Sequence, residues 1–119
     1  MAVLALFSGN ITKDQYEILR KEIGWEVSNP PGGIFHVAGF DEQGGMHVAD
    51  VWESTDALND FVGAKLIPTL QKHNIPAPDA RVVPIHNANA HSAVDRFKLK
   101  SAAKPKAKAK SKPKGKKRK

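Results

Sequence analysis

Apolar residues along the chain recur with two different periods, which predicts an order of strands and helices. The run Ala2–Ser8 is continuously apolar and ends at a Gly-Asn pair, which is typical of a central strand buried on both faces. The next segment has helical spacing and begins with Thr12 and Gln15, a capping-box pattern that predicts a helix start. Gly24 is suited to end this helix in the left-handed conformation.

Two more strands and a second helix are predicted after a loop rich in proline and glycine. The loop spans Ser28–Gly33, and strands are expected at Ile34–Phe40 and Met46–Glu53, joined by a turn at Asp41–Gly45. Ser54 is a suitable N-cap for the helix that follows. The apolar stripe of this helix consists of Leu58, Phe61, Val62 and Leu66.

Prolines affect the predicted geometry of the second helix and of the last strand. Pro68 removes one backbone hydrogen bond, so the second helix should kink or divide near Ile67. A last strand is predicted at Arg81–His86, where Pro84 favours an edge position or the end of the ladder. The order β-α-β-β-α-β predicts an α+β, ferredoxin-like fold, in which two helices cover one face of a four-stranded antiparallel sheet.

The other face of such a sheet has no helices, yet the strands carry apolar residues at both parities. In the first strand, Leu4 and Leu6 alternate with the apolar residues of the opposite face. A large apolar patch in contact with water is rare in monomers. We therefore expect a homodimer in which two sheets face each other across a two-fold axis.

The charge of the chain is divided between two regions. Residues 1–97 hold 7 basic and 12 acidic side chains, whereas residues 98–119 hold 12 basic and no acidic ones. The first region is predicted to be a single folded domain. The second has almost no apolar surface to bury and repels itself, so it is predicted to be a disordered basic tail.

The tail alternates Lys with Ala, Ser or Pro and resembles the tails of histone-like proteins. It is a candidate for non-specific, salt-sensitive binding of nucleic-acid phosphate. The alternatives are a solubilising tail with no selected partner and a segment that binds an acidic membrane surface. The residues predicted to contact phosphate are Lys104, Lys106, Lys108, Lys110, Lys112, Lys114, Lys116, Lys117, Arg118 and Lys119.

Several classes of function are excluded by residues that the sequence lacks. No cysteine is present, which excludes disulfides, thiolate metal sites and a cysteine nucleophile. Phosphate-binding glycine motifs and a nucleophile elbow are also absent. No segment approaches the ~20 apolar residues of a membrane helix, and the apolar opening is too short for a signal peptide. We expect a cytoplasmic protein without membrane insertion, and we predict no cofactor.

Two motifs resemble those of a known family. The segments Val48-Ala49-Asp50-Val51-Trp52-Glu53-Ser54 and Leu66-Ile67-Pro68-Thr69-Leu70, together with the element order, resemble the dimeric α/β-barrel superfamily, especially its antibiotic-biosynthesis-monooxygenase-like members. The resemblance spans roughly residues 2–87. It implies a dimeric barrel with a small apolar cavity in each subunit, used in some members for cofactor-independent oxygenation of aromatic substrates and in others for haem breakdown.

Two hypotheses about function follow. The first is a protein that binds a small aromatic or apolar ligand, or a monooxygenase-like enzyme that acts on one. The second is a non-enzymatic dimerisation scaffold whose basic tails bind nucleic acid.

The length of the turn at Asp41–Gly45 decides which side chains share a face. A turn of two or four residues would pair position 36 with position 51 and place His36 and His47 on one face, about 13 Å apart. That distance is too long for a shared metal ion, so no metal site is predicted. The same turn would place Asp50 on the opposite face, whereas a turn of three or five residues would reverse this parity.

With a turn of two or four residues, Trp52 lies beside Phe35 and Val37 of the preceding strand. It could then form the wall of a pocket for an aromatic ligand, the alternative being a core residue. The candidate ligand-binding residues are Phe35, Val37, Trp52 and Phe61.

Three residues are candidates for catalysis. Asp50 is one because a buried carboxylate needs a partner or a shifted pKa, the alternative being a salt bridge to Arg81 or a capping role. His36 and His86 are the others because they lie in apolar strands, the alternative being a structural role.

Overall fold

The computed structural model of the protein describes residues 1–99. The predicted basic tail, residues 98–119, lies outside the described residues except for its first two positions, so its predicted contacts to nucleic acid stay a prediction. The elements in chain order are β1 (Val3–Gly9), α1 (Lys13–Ile23), β2 (Gly33–Phe40), β3 (Met46–Trp52), α2 (Thr55–Phe61), a π-helical turn (Val62–Leu66), α3 (Ile67–Lys72), β4 (Asp79–Pro84) and a 3₁₀ helix (Ser92–Phe97).

The four strands form one antiparallel sheet in the order β2-β3-β1-β4. This order, with the helices on one face, confirms the predicted ferredoxin-like fold. Strand β1 is central and β4 lies at an edge, as predicted. The last strand is two residues out of place in the prediction, since it runs over Asp79–Pro84 and not Arg81–His86.

Local hydrogen bonds fix both ends of α1. The side chain of Thr12 accepts from the Gln15 N–H at 3.1 Å, and the side chain of Gln15 accepts from the Thr12 N–H at 2.9 Å. Gly24 adopts a φ of 74° and donates its N–H to Arg20. The predicted capping box and left-handed cap are therefore confirmed.

The second helical segment divides where Pro68 removes a backbone donor. Ser54 caps α2, as predicted, by accepting from the Ala57 N–H at 3.1 Å. The following turn is π-helical, because Ile67 donates its N–H to Val62, five residues back. Helix α3 then starts at Ile67, which confirms the predicted division.

The connection between β2 and β3 has five residues, because Phe40 pairs with Met46. One carboxylate shapes it: Asp41 Oδ1 accepts from the backbone N–H groups of Gln43 and Gly45 at 3.0 and 2.8 Å. The placement based on a two- or four-residue turn is therefore wrong. His36 pairs with position 50, and His47 lies on the opposite face from it.

This register also corrects the predicted surroundings of Trp52. Phe35 pairs with Val51 and Val37 with Ala49, so both face away from the helices. Trp52 points to the helix side and is fully buried. The predicted grouping of Phe35 and Val37 with Trp52 is wrong, because the extra turn residue inverts the parity of one strand relative to the other.

The core lies between the sheet and the helices. Strands β1 and β3 each contribute three buried apolar side chains, and the helices α1, α2 and α3 contribute one each. Trp52 is the largest of these side chains and is fully buried. The buried apolar residues are Val3, Ala5, Phe7, Ile11, Leu19, Met46, Val48, Trp52, Leu58, Leu70 and Ile75.

The sheet face opposite the helices is apolar, and we call it the open face. It carries Leu4 and Leu6 of β1 together with Phe35 and Val37 of β2. Leu6 is 40% exposed, so β1 is buried on one face only within a single chain. The predicted burial of the second face of β1 depends on a partner for the open face, which stays a prediction.

Gly32 and Gly44 form a matched pair for testing how closely the Pro-Gly loop packs on α2. Both have a φ of 85°, but a Cβ on Gly32 would meet the Cβ of Ala57 at 2.5 Å, whereas one on Gly44 would meet nothing. We expect Gly44→Ala to cost about 1 kcal/mol through backbone strain alone, and Gly32→Ala about 2–4 kcal/mol. Urea unfolding of both variants measures this, and equal losses would contradict the close packing.

Candidate functional site

His36 and Asp50 form a hydrogen-bonded pair across the sheet. They are direct partners in the β2–β3 register, and cross-strand partners have their Cβ atoms close together. His36 Nδ1 lies 2.7 Å from Asp50 Oδ1. Because an ionised carboxylate can only accept hydrogen bonds, Nδ1 carries the proton, and the neutral imidazole has its acceptor at Nε2.

Asp50 has a second donor, which compensates for its burial. The residue is 4% exposed, and the indole Nε1–H of Trp52 donates to its Oδ2 at 3.3 Å. Each carboxylate oxygen therefore has an N–H partner, as a buried carboxylate requires. The alternative of a salt bridge to Arg81 is wrong, because Arg81 pairs with Leu6 in the sheet and is exposed.

Helix α1 extends this hydrogen-bonded chain by one more residue. The hydroxyl of Tyr16 lies 2.8 Å from His36 Nε2, and the two rings are stacked with an interplanar angle of 4°. In the neutral form of the imidazole, the tyrosine O–H donates to Nε2. The sequence of contacts is Trp52–Asp50–His36–Tyr16, and we call it the Asp-His-Tyr chain.

The environment of Tyr16 keeps its hydroxyl protonated. Burial raises the pKa of Tyr16 from its ordinary value of 10.0 to about 12, and the negative charge of Glu26 contributes in the same direction. The hydroxyl is therefore a hydrogen-bond donor at neutral pH.

Aromatic rings surround the Asp-His-Tyr chain. Trp25 follows the cap of α1, and its ring centroid lies 5.0 Å from that of His36 and 5.5 Å from that of Trp52. Phe61 of α2 lies 5.0 Å from Trp52. These rings reduce the access of water to the imidazole, which strengthens its interaction with the carboxylate.

A cavity of about 80 Å³ lies between the sheet and the helices, and it is partly open to solvent. Tyr16, Trp25, His36 and Asp50 contribute to its lining, so the Asp-His-Tyr chain faces a mostly apolar space. The apolar part of the lining includes Phe7, Leu19, Met46, Val48, Phe61 and Leu66.

An ion-paired arginine lies at the same cavity. The Arg20 side chain is 7% exposed, and its Nη2 and Nε donate to the two carboxylate oxygens of Glu17 at 2.7 and 3.0 Å. Its Nη1 donates to Glu26 at 3.2 Å. The pairing with Arg20 lowers the pKa of Glu17. Because two carboxylates hold it, Arg20 is a fixed structural charge.

Four of the predicted site residues come together and three do not. His36, Asp50, Trp52 and Phe61 meet at or beside the cavity. Phe35 and Val37 lie on the open face. His86 follows the end of β4, is exposed, and does not line the cavity.

Sequence reasoning missed the two residues that complete the site. Neither Tyr16 nor Trp25 is among the site residues predicted from the sequence. Their signals are weak: an aromatic residue four positions after a helix N-cap, and another directly after the capping Gly24. Neither position reveals which strand its side chain will meet.

Two kinds of feature are absent from residues 1–99. In this part of the chain, no three His, Asp or Glu side chains are grouped closely enough to hold a metal ion. None of its helices has the length and hydropathy needed to cross a bilayer.

Solved structures of other proteins share the fold. A candidate antibiotic biosynthesis monooxygenase from Chloroflexus aurantiacus J-10-fl matches with a TM-score of 0.57 and 14% identity, over 76% of this chain and 98% of its own. A single-residue variant of SnoaB, a cofactor-independent oxygenase from Streptomyces nogalater, matches with a TM-score of 0.57 and 11% identity, over 73% and 95%. No protein-family model and no curated protein sequence matches the chain.

The chain therefore has the ferredoxin-like fold of antibiotic-biosynthesis-monooxygenase-like proteins. At identities of 11–14% the likeness concerns the fold alone. What the site does must be argued from its own residues.

The ionisation of Tyr16 can be measured directly, because the chain contains one tyrosine. We expect the ultraviolet absorbance of tyrosinate to appear with a midpoint near pH 12 in the native protein, because the pKa of Tyr16 is raised to about 12. Since the folded state keeps this proton longer than the unfolded state, the free energy of unfolding should fall as the pH rises between about 10 and 12.

Two controls make the titration decisive. The urea-unfolded protein should titrate near the ordinary value of 10.0, and Tyr16→Phe should show no tyrosinate signal. A native midpoint equal to the unfolded one would mean that the Tyr16 hydroxyl is in water.

Proposed function

We propose that the protein is a monooxygenase-like enzyme that removes a proton from a small aromatic or apolar substrate and needs no cofactor to do so. One observation carries the proposal: the Asp-His-Tyr chain begins at a buried carboxylate and ends at a mostly apolar cavity. The imidazole of His36 is the proton acceptor. Asp50 stabilises the imidazolium that forms and fixes the orientation of the ring.

The chemistry can be written with dioxygen as the only oxidant. Removal of the hydroxyl proton from a phenol gives an anion that can transfer an electron to O₂, and the resulting radical and superoxide combine at a ring carbon. Loss of water then leaves a carbonyl group at that carbon. A phenol C–H and one O₂ give one quinone C=O and one water, and the substrate supplies every electron.

The size of the cavity limits the substrate. At about 80 Å³ it is smaller than the ~150 Å³ cavity that accepts benzene in another protein. A single-ring compound therefore requires the lining to move outward, and a polycyclic compound would require much more. We propose a substrate with at most one aromatic ring.

The likeness to known structures supports the proposal without deciding it. SnoaB is described as a cofactor-independent oxygenase, and the present chain shares its fold. The identity is too low to transfer any residue, so the roles of His36 and Asp50 rest on their own geometry.

The roles of two histidines can be compared directly. His36 lies in the Asp-His-Tyr chain, whereas His47 is exposed and pairs with Asp41 at the turn. With single-ring phenols and hydroquinones as substrates, we expect His36→Gln to reduce kcat/KM for oxygen uptake by about a hundredfold or more, because the proton acceptor is lost. His47→Gln should retain the rate of the unchanged protein.

Oxygen uptake is measured with an electrode and corrected for autoxidation without protein. Circular dichroism must show that both variants are folded. Equal rates for His36→Gln and His47→Gln would contradict the assignment of His36. If no compound in the panel raises oxygen uptake above autoxidation or stabilises the protein against heat, the enzymatic proposal is wrong.

The enzyme is proposed to act as a homodimer joined through the open face. The supporting observation is the exposure of Leu6, Val37 and their neighbours on the sheet side that no helix covers. A second copy of the same face would bury these residues with two-fold symmetry.

Leu6 and Ile18 provide a matched test of the dimer, since they are 40% and 41% exposed on opposite sides of the protein. We expect Leu6→Glu to weaken self-association by at least about tenfold, because each carboxylate, even beside its cross-strand neighbour Arg81, would have to lose its water in the dimer. Ile18→Glu, on α1, should leave association unchanged. Sedimentation velocity at micromolar concentration measures both, and a monomeric unchanged protein would contradict the dimer.

A further inference from the structure

We infer that Tyr16, and not His36, contacts the substrate, and that Tyr16 relays the proton of the substrate hydroxyl to His36. The site prefers a neutral hydroxyl compound to an anionic one. This inference rests on the proposed function, because it describes how the same cavity would remove a proton.

Both nitrogens of the His36 ring are already engaged. Nδ1 is bound to Asp50 at 2.7 Å, and Nε2 is covered by the Tyr16 hydroxyl at 2.8 Å. The Tyr16 ring also lies parallel to the imidazole. A ligand in the cavity therefore cannot place its hydroxyl against Nε2 unless Tyr16 moves away.

The Tyr16 oxygen can accept what His36 cannot. A phenolic hydroxyl has one donor and can also accept, and in the neutral site its proton is directed to Nε2. The oxygen lone pairs remain for a ligand, and Tyr16 belongs to the cavity lining. The Tyr16 oxygen is therefore the basic atom that a substrate in the cavity reaches first.

The relay step is balanced. The substrate O–H bond breaks as a new O–H bond forms on Tyr16, while the original Tyr16 O–H bond breaks and an N–H bond forms at His36 Nε2. The products are a substrate anion, an unchanged tyrosine and an imidazolium paired with Asp50. Because burial raises the pKa of Tyr16 to about 12, a free tyrosinate is disfavoured, and the two proton transfers are expected to be coupled.

The charged groups around Tyr16 select against anions. Arg20 and Glu17 face it from α1, Glu26 from the segment after α1, and Asp50 from β3. Three carboxylates therefore surround one cation, and Glu17 and Glu26 already hold the guanidinium of Arg20. A ligand that brings its own carboxylate meets net repulsion, whereas a neutral phenol does not.

The relay is tested with 4-nitrophenol and the full-length protein. This single-ring phenol absorbs visible light when ionised, so the ionisation constant of the bound dye can be read from a pH titration. We expect that constant to be raised by at least about tenfold over the free dye, because the proton that the dye loses stays on His36 and the imidazolium compensates the charge of the dye anion. A ligand that arrives with a carboxylate brings a charge that no such proton compensates.

Tyr16→Phe is the decisive variant. The variant removes the hydroxyl that lies on Nε2 and keeps a ring parallel to the imidazole. The dye should still bind, and its ionisation constant should return to that of the free dye. His36→Gln should give the same result by an independent route, since it keeps the tyrosine but removes the proton acceptor. His47→Gln should behave like the unchanged protein.

The charge preference is tested with a neutral and an anionic compound of similar shape. Equilibrium dialysis should show that methyl 4-hydroxybenzoate binds about tenfold or more tightly than 4-hydroxybenzoate. Equal affinity, or tighter binding of the anion, would overturn the charge preference.

The possible results separate the relay from the enzymatic proposal. If the dye binds but ionises in Tyr16→Phe as it does in the unchanged protein, the relay is wrong and the cavity still binds ligands. If neither the dye nor the ester binds the unchanged protein, the ligand-binding cavity is wrong and the relay is wrong with it.

Discussion

The buried carboxylate of Asp50 is the constraint on which the site depends. A carboxylate in an apolar core is stable only with hydrogen-bond donors on its oxygens, and the sheet supplies them from two directions. Trp52 donates from the same strand and His36 from the neighbouring strand. The pairing of these strands therefore determines the position of the imidazole. The imidazole in turn determines where the Tyr16 hydroxyl can form its hydrogen bond.

The helix that carries Tyr16 has equally local causes. The reciprocal bonds between Thr12 and Gln15 start α1 one turn before the tyrosine, and Gly24 ends it directly before Trp25. A helix with both ends fixed places one aromatic residue over the imidazole and another beside it. Ordinary capping chemistry and one buried acid thus assemble the whole group of residues at the cavity.

Much of the fold could be predicted from the sequence, because caps, prolines and apolar periods act locally. The element order, the central position of β1, the capping box at Thr12 and the division of the helix at Ile67 are all confirmed. The candidate site was harder, because its composition depends on the parity of one hairpin. Five residues between Phe40 and Met46 bring His36 to Asp50, while four would separate them. Tyr16 could not be assigned for a similar reason, since the period of a helix identifies its buried stripe but not the residue that the stripe contacts.

The π-helical turn at Val62–Leu66 has a consequence for how the cavity admits a guest. It lies directly between Phe61 and Ile67, and two cavity-lining side chains, Phe61 and Leu66, flank or belong to it. This turn departs from the regular four-residue hydrogen-bond spacing of the helices on either side, so it is where we expect the helical wall to yield. Expansion of the small interior space is therefore expected to be directional: the helical wall yields at this turn while the sheet, with its paired acid and imidazole, stays rigid.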